Sequence, residues 1–511
     1  MIAILDFGSQ YTKIIARKIR ESNVYCEVLP TNVTLEELKK RRVRGIILSG
    51  GPNSVFDDNA PSCEKEILDS NIPILGICYG MQLITKHFGG EIIKGKSKEY
   101  GSANLYIDNN FNLFQNLWLE MTIWMSHGDS VIRMPEHFQR IGHTKDCSIA
   151  AMGWPEKNIY AVQFHPEVSH TPKGRDILNN FIFSICRCAQ DWTPQSFIKT
   201  AIHKINKEVK HEKVLCALSG GVDSTTVAAL LKKAIGKKLT CMFIDLGFMR
   251  KNEGAKIKQL FEKEFNIDLI YIDAADRFHE KLTGISDPEE KRKTIGEEFI
   301  RVFEEESAKI ANDYTFLAQG TLYPDVIESA IGDVSDTAVT IKTHHNVGGL
   351  PENMKFKIIE PLRMLFKDEV RKVGLECGLP EELVYRHPFP GPGLAIRILG
   401  ELSKENVTTL QDADAILMEE IKKAGLYRQL WQVFAVLLPV KTVGVQGDQR
   451  TYSNVIAIRA VQSDDAMTAN WAHLPYDILE KISSRICNEV SNINRVVYDI
   501  SSKPPATIEW E

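Results

Sequence analysis

Residues 72–83 read IPILGICYGMQL, and this stretch decides how the first third of the chain is built. The apolar run Ile72–Ile77 predicts a buried strand, and residues 80–88 predict a helix. Cys78 stands at the junction, bracketed by Gly76 and Gly80. A strand-to-helix elbow of this kind holds a nucleophile on a strained turn, here with sulfur in place of a serine oxygen. The helix N-terminus favours an anionic sulfur and offers the Tyr79 N–H to an oxyanion. A second donor is expected from Gly51 in Ser49-Gly50-Gly51-Pro52, a glycine turn after the strand Gly45–Leu48.

Working outward, Ile2–Leu5, Gly45–Leu48, Ile72–Ile77 and Ile159–Phe164 predict strands, and residues 12–20, 62–70 and 80–88 predict helices. That alternation implies a doubly wound α/β domain on a mostly parallel sheet. The strand near 160 ends in Phe164-His165-Pro166-Glu167. Residues two apart in an extended segment share a face, so Glu167 can orient His165 as the base a cysteine nucleophile needs.

A second glycine turn, Ser219-Gly220-Gly221-Val222-Asp223-Ser224-Thr225, follows the strand Lys213–Leu218 and precedes a helix over 224–234. Successive N–H groups around Gly220 and Gly221 make an anion nest, and the helix end adds positive partial charge. Ser219, Ser224 and Thr225 add hydroxyls. Asp223 repels a bare phosphate, which points to Mg²⁺ as its partner. The turn has no Walker lysine, so a cation must come from elsewhere.

The pattern continues with strand Leu239–Asp245, helix 253–264 and strand Leu269–Ile272, a second doubly wound α/β domain. The charged segment 287–311 predicts a helix whose front half is a candidate lid. The run His387-Pro388-Phe389-Pro390-Gly391-Pro392-Gly393 predicts a rigid irregular loop. Beyond it, strands at Val433–Val445 and Val455–Val461 with helices near 411–424 and 475–490 predict a smaller α+β domain. The expected domains are 1–190, 191–386 and 387–511.

Composition restricts the function classes. The chain has 511 residues, 43% hydrophobic and 25% charged, with a formal net charge of −5. That balance argues against generic nucleic-acid binding. Ten cysteines without a CxxC pair suggest neither a zinc knuckle nor a redox motif. No stretch approaches the ~20 apolar residues of a membrane span, and the expected compartment is the cytoplasm. Thr343-His344-His345-Asn346 reads as a polar loop rather than a metal site.

GICYGMQL (76–83), SGGPNSV (49–55) and FHPEV (164–168) resemble the class I glutamine amidotransferases. That resemblance implies Cys78 as nucleophile, His165 as general base and acid, and Glu167 as its orienter. It also implies glutamine held by Gln82 and by Ser126, His127 and Gly128 of a substrate loop, with ammonia as product. His127 read without the resemblance is equally an ordinary histidine. The segment 219–225 resembles the loop of the N-type ATP pyrophosphatases, implying Mg-ATP cleaved between its α- and β-phosphates. Lys367 then fits a pyrophosphate-binding position, and Leu246 lies where such folds hold adenine.

RHPFPGPGL (386–394), VGVQGD (443–448), WAHLPYD (471–477) and KPPATIEWE (503–511) resemble the glutamine-hydrolysing GMP synthetase family, as does DFGSQY (6–11). By that resemblance Arg292, Gln432, Lys503, Glu509 and Asp448 contact xanthosine monophosphate, and the last domain mediates a homodimer. Competing readings are another glutamine-dependent ATP pyrophosphatase, adenylating a carboxylate or a tRNA base, and a catalytically dead nucleotide-binding regulator.

Overall fold

The computed structural model describes residues 1–110, 112–310, 313–332, 356–446, 448–463 and 466–511. Thr343–Asn346 lie outside the described residues. The chain divides into two compact units, Met1–Phe197 and Ile198–Glu511.

In the first unit the strands are β1 (Ile2–Asp6), β2 (Cys26–Pro30), β3 (Gly45–Leu48), β4 (Ile74–Ile77), β5 (Glu91–Ile107), β6 (Glu120–Arg133), β7 (Gln139–His143), β8 (Ala151–Trp154) and β9 (Ile159–Val162). Among the described residues they form one nine-stranded sheet, ordered β2-β1-β3-β4-β9-β8-β7-β5-β6. From β2 to β9 the pairing is parallel. Strands β3, β4 and β9 are buried at every residue, as a sheet covered on both faces requires.

The predicted mostly parallel sheet is extended by four antiparallel strands, β8, β7, β5 and β6. In β6, burial alternates for much of its length because only one face is covered. The predicted helix at 62–70 shrinks to one turn, Lys65–Leu68. Glu64 instead turns its carboxylate to the Leu35 N–H at 2.6 Å.

The second unit contains β10 (Val214–Leu218), β11 (Leu239–Asp245), β12 (Asp268–Asp273), β13 (Phe316–Ala318) and β14 (Lys357–Ile359), all parallel and ordered β12-β11-β10-β13-β14. The chain leaves β10 toward β11 and returns to place β13 on its other side. Such a switch point opens a crevice at the carboxyl end of β10, where Ser219 begins.

The remaining strands are β15 (Gln432–Gln446), β16 (Gln449–Gln462), β17 (Asn470–Trp471) and β18 (Ile493–Asp499). A long β15–β16 hairpin dominates, with β18 parallel to β16. One core joins Leu215, Met242 and Leu317 of the five-stranded sheet to Leu417, Val433, Ile456 and Ile486. The expected boundary at 386 therefore crosses a continuous core.

The helix Pro288–Ile310 forms as predicted, but its front half is not an open flap. Lys291 and Ile295 are buried, and Lys291 donates to the Ile398 carbonyl at 2.7 Å.

Candidate functional site

The elbow has the strained geometry its sequence implies. Cys78 has φ +52° and ψ −104°, a conformation non-glycine residues seldom adopt. Its N–H donates to the Val162 carbonyl at 2.8 Å, tying the turn to β9. A Cβ on Gly76 would lie 2.7 Å from the Gly80 carbonyl carbon, and one on Gly80 2.5 Å from the Leu48 oxygen. Strand, turn and helix thus close around the sulfur only with glycine at both positions.

His165 follows β9 and is buried with Glu167; its Nδ1 meets Glu167 Oε1 at 2.7 Å. Burial alone would lower the His165 pKa, but the Glu167 charge and contact with Cys78 outweigh it and push the pKa up to about 10. An imidazolium is the counter-charge that a thiolate nucleophile needs. Tyr79 opens the helix Tyr79–His87, where backbone N–H groups have no intrahelical acceptor. Gly51 lies beside it, its Cβ position 3.4 Å from Tyr79 Cγ. The structure therefore brings Cys78, His165, Glu167, Tyr79 and the Gly50–Gly51 turn together.

Residues 126–129, predicted as a loop, lie within β6. The reason is cross-strand pairing with β5, with Ser126 opposite Tyr100 and His127 opposite Glu99. The Ser126 carbonyl lies 3.6 Å from Cys78 Sγ. Gln82 Nε2 donates to the Asp129 carbonyl at 3.1 Å, which ties this strand to the nucleophile's helix. His127 is buried, with Nδ1 3.1 Å from the Asp129 carbonyl and Nε2 3.2 Å from Glu99. Cys147 completes a thiol, imidazole and carboxylate group within 4.8 Å, and hydrogen bonding to both His127 nitrogens accounts for how that ring is held. Gly128 continues the same strand.

Sequence reasoning missed Gly174. A Cβ there would lie 1.7 Å from the Pro166 carbonyl, so the helix Gly174–Asn179 seats directly under the His165–Glu167 turn. Its signal, a glycine shortly after HPE, is too weak to read alone.

In the second unit, Gly221 caps the helix Val222–Ile235. The Ser219 N–H donates to Ser224 Oγ at 3.2 Å, and the Gly221 N–H to Ser219 Oγ at 3.3 Å. Thr225, expected as a phosphate donor, is buried and donates to the Gly221 carbonyl at 2.8 Å. Its hydroxyl shapes the turn because the helix carries it inward. The Val222 side chain is likewise buried. Lys367, the first residue of the helix Lys367–Glu376, pairs with Asp223 Oδ2, so the predicted cation does reach the turn.

Asp223 Oδ1 is buried without a hydrogen-bond partner. A carboxylate oxygen so placed fits Mg²⁺, which takes one or two carboxylates plus substrate phosphates. Gly320 closes over the turn, its Cβ position 3.4 Å from the Ser224 nitrogen. Leu246 has its side chain in the core. A cavity of about 220 Å³ beside it is lined by Asp245, Gly247, Met249, Arg250, Glu253 and Asp273, among others.

Of the C-terminal candidates, Gln432 and Glu509 meet, with Gln432 Nε2 donating to Glu509 Oε1 at 2.6 Å. Arg292 donates to the Glu511 carbonyl. Lys503 donates to the Ala466 carbonyl at 2.8 Å. Asp448 lies at the turn of the β15–β16 hairpin, at the opposite end from Gln432, which pairs with Val461. The structure does not bring Asp448 to the others within this chain.

Arg397 was not foreseen. It is fully buried and grips Glu509 through two nitrogens, at 2.8 and 3.0 Å. An arginine inside the apolar run Leu394–Leu399 was its only signal. His387 stacks on Tyr427 with ring centres 3.9 Å apart, and burial, with nearby Arg250, Arg371 and Arg397, lowers its pKa to about 4.

The model described as glutamine amidotransferase class-I matches residues 3–185. One described as NAD synthase matches 195–321, and one described as GMP synthase C terminal domain matches 419–510. A protein of Acetivibrio thermocellus named GMP synthase, glutamine-hydrolyzing, is 57% identical over 100% of this chain and 99% of its own length. One of the same name from Thermosynechococcus vestitus is 57% identical, covering 100% and 96%. Another from Carboxydothermus hydrogenoformans is 56% identical, covering 100% and 99%.

Proposed function

Because this chain belongs to the glutamine-hydrolysing GMP synthase family, we propose that its two glycine turns carry successive parts of GMP synthesis. The observation that carries this reading is the buried elbow thiol facing His165–Glu167, in a chain that also holds a Walker-less phosphate turn. Cys78 sulfur attacks the glutamine carboxamide carbon, and the oxyanion accepts from the Tyr79 and Gly51 N–H groups. His165 gives a proton to the departing ammonia, then takes one from the water that cleaves the thioester to glutamate. Glu167 keeps His165 oriented. Gln82 and the backbone of Ser126–Gly128 hold the substrate's amino-acid end, with His127 bracing that strand.

At the second turn, the 2-oxygen of xanthosine monophosphate attacks the α-phosphorus of ATP and pyrophosphate leaves. Ser219, Gly220, Gly221, the Val222 N–H and Ser224 cradle the phosphates, with Lys367 supplying positive charge. Asp223 would hold Mg²⁺, which supplies charge neutralisation at the phosphates. Ammonia then adds to purine C2 and AMP leaves, giving GMP. Adenylation is needed because the purine oxygen is otherwise a poor leaving group. Arg292 and Lys503 suit the nucleotide phosphate, and Gln432 and Glu509 suit the ribose or base.

The functional division is into a glutaminase domain over 1–190, an ATP pyrophosphatase domain over 191–386 and a nucleotide-binding, dimerising domain over 387–511. The protein works in the cytoplasm as a homodimer. Exposed Val443, Val445 and Tyr452 on the hairpin tip support the dimer.

Cys78→Ala tests the scheme. Glutamine-dependent synthesis falls to background, while synthesis from added ammonium stays within about twofold of the parent, because the thiol acts only in the first half. Parallel loss of both activities would sink the two-site reading.

A further inference from the structure

We propose that Arg386 is a positioning residue for the phosphate turn, holding the Gly220 peptide so that its neighbouring N–H groups face the ATP phosphates. Arg386 Nη1 donates to the Gly220 carbonyl at 2.6 Å and pairs with Glu253 at 2.5 Å. Gly220 has φ +73°, a conformation open to glycine but one that leaves the adjoining peptide free to rotate. In a trans peptide the C=O and N–H point in opposite directions. Gripping the Gly220 oxygen from behind therefore turns the Gly221 N–H to the inner side of the turn, where it meets Ser219 Oγ at 3.3 Å, a long bond that an incoming phosphate oxygen can replace. A flipped peptide would present a carbonyl oxygen to the phosphates instead.

Arg386 acts through the backbone rather than as a phosphate ligand, since Glu253 already balances its charge. Its guanidinium also lies 5.5 Å from the centre of the Phe389 ring. The same ring carries Arg250 at 5.3 Å and Arg397 at 5.1 Å. Arg397 in turn grips Glu509, the candidate acceptor-nucleotide contact. Segment 386–397 thus holds the phosphate turn at one end and Glu509 at the other.

This inference rests on residues 219–225 gripping ATP. Kinetics with ammonium as nitrogen source leave the first unit out of the measurement. Arg386→Met should raise the KM for ATP, and the pyrophosphate concentration for half-inhibition, by about tenfold each, the loss expected for one charge-assisted hydrogen bond. The KM for xanthosine monophosphate should rise by less than that for ATP, because Arg386 reaches Glu509 only through the Phe389 ring and Arg397. Arg386→Lys, which keeps a donor and a charge, should recover at least part of both losses. Unchanged ATP and pyrophosphate parameters would overturn the inference, as would equal shifts for both nucleotides. If the Met variant does not fold, the Lys variant carries the test, and an ATP-selective rise smaller than tenfold is required of it. Asp223→Asn separates the two readings. If it leaves ammonium-driven turnover intact, the phosphate site itself is misread; if it impairs turnover while Arg386 variants do not, only the present inference fails.

Discussion

At His165 two effects oppose each other: burial favours the neutral ring, while Glu167 and Cys78 favour the charged one, and the charged form wins to about pH 10. The pKa is raised above its ordinary 6.5, so the pairing contributes stability that is fully present below about pH 6.5 and is lost as pH rises through about 10. Glu167→Gln should lower the melting temperature most at and below neutral pH, and the gap to the parent protein should close toward pH 10. A gap that stays constant across that range would show that the carboxylate acts through packing alone. Cys78, His165 and Glu167 were legible because each carries a local chemical signature, the glycine-flanked elbow for Cys78 and the i, i+2 pair for His165 and Glu167. Arg386 and Arg397 were not, because their partners Gly220 and Glu509 lie far away along the chain and no local pattern encodes the meeting.

Among the elements, one short helix backs the turn that carries His165 and Glu167. The N-terminus of Gly174–Asn179 presses so closely on Pro166 that any side chain at 174 must displace the HPE turn. Gly174→Ala should cost about 1–3 kcal/mol, in the range of overpacking. It should also cut glutamine hydrolysis by about tenfold or more, as misplacement of a catalytic group does, with ammonium-driven synthesis unchanged. Retention of full glutaminase activity would mean the turn has slack that the geometry does not suggest. Buried parallel strands such as β3 and β9 were readable as continuous apolar runs. Strands β5–β8 were not named, because half-covered antiparallel strands carry charged and polar residues on their open face. Ser126–Asp129 looked like a loop for the same reason, as its cross-strand partners lie near residue 100.

For the whole molecule, the β15–β16 hairpin extends beyond its pairing with β18, which begins at Asn454. On that tip Val445 is 75% exposed and Tyr452 67%. Unpaired apolar side chains on a two-stranded ribbon fit a protein–protein contact. If the proposed homodimer forms through this tip, a Val445→Lys, Tyr452→Lys double variant should sediment more slowly than the parent protein at the same concentration. An unchanged sedimentation coefficient would move the interface elsewhere.

The continuous core from Leu215 to Ile486 has a consequence for how this polypeptide can be encoded. Trp192 packs at a tilt on Tyr25, ring centres 4.6 Å apart, and so belongs with the first unit, just ahead of the helix Pro194–Val209. A gene split just ahead of Pro194 would keep that helix whole and yield two products that each retain their own interior, while one split near residue 386 would leave both products with half of a shared one. Fragment complementation is therefore favoured at the first junction and opposed at the second, although both looked alike as breaks between motifs.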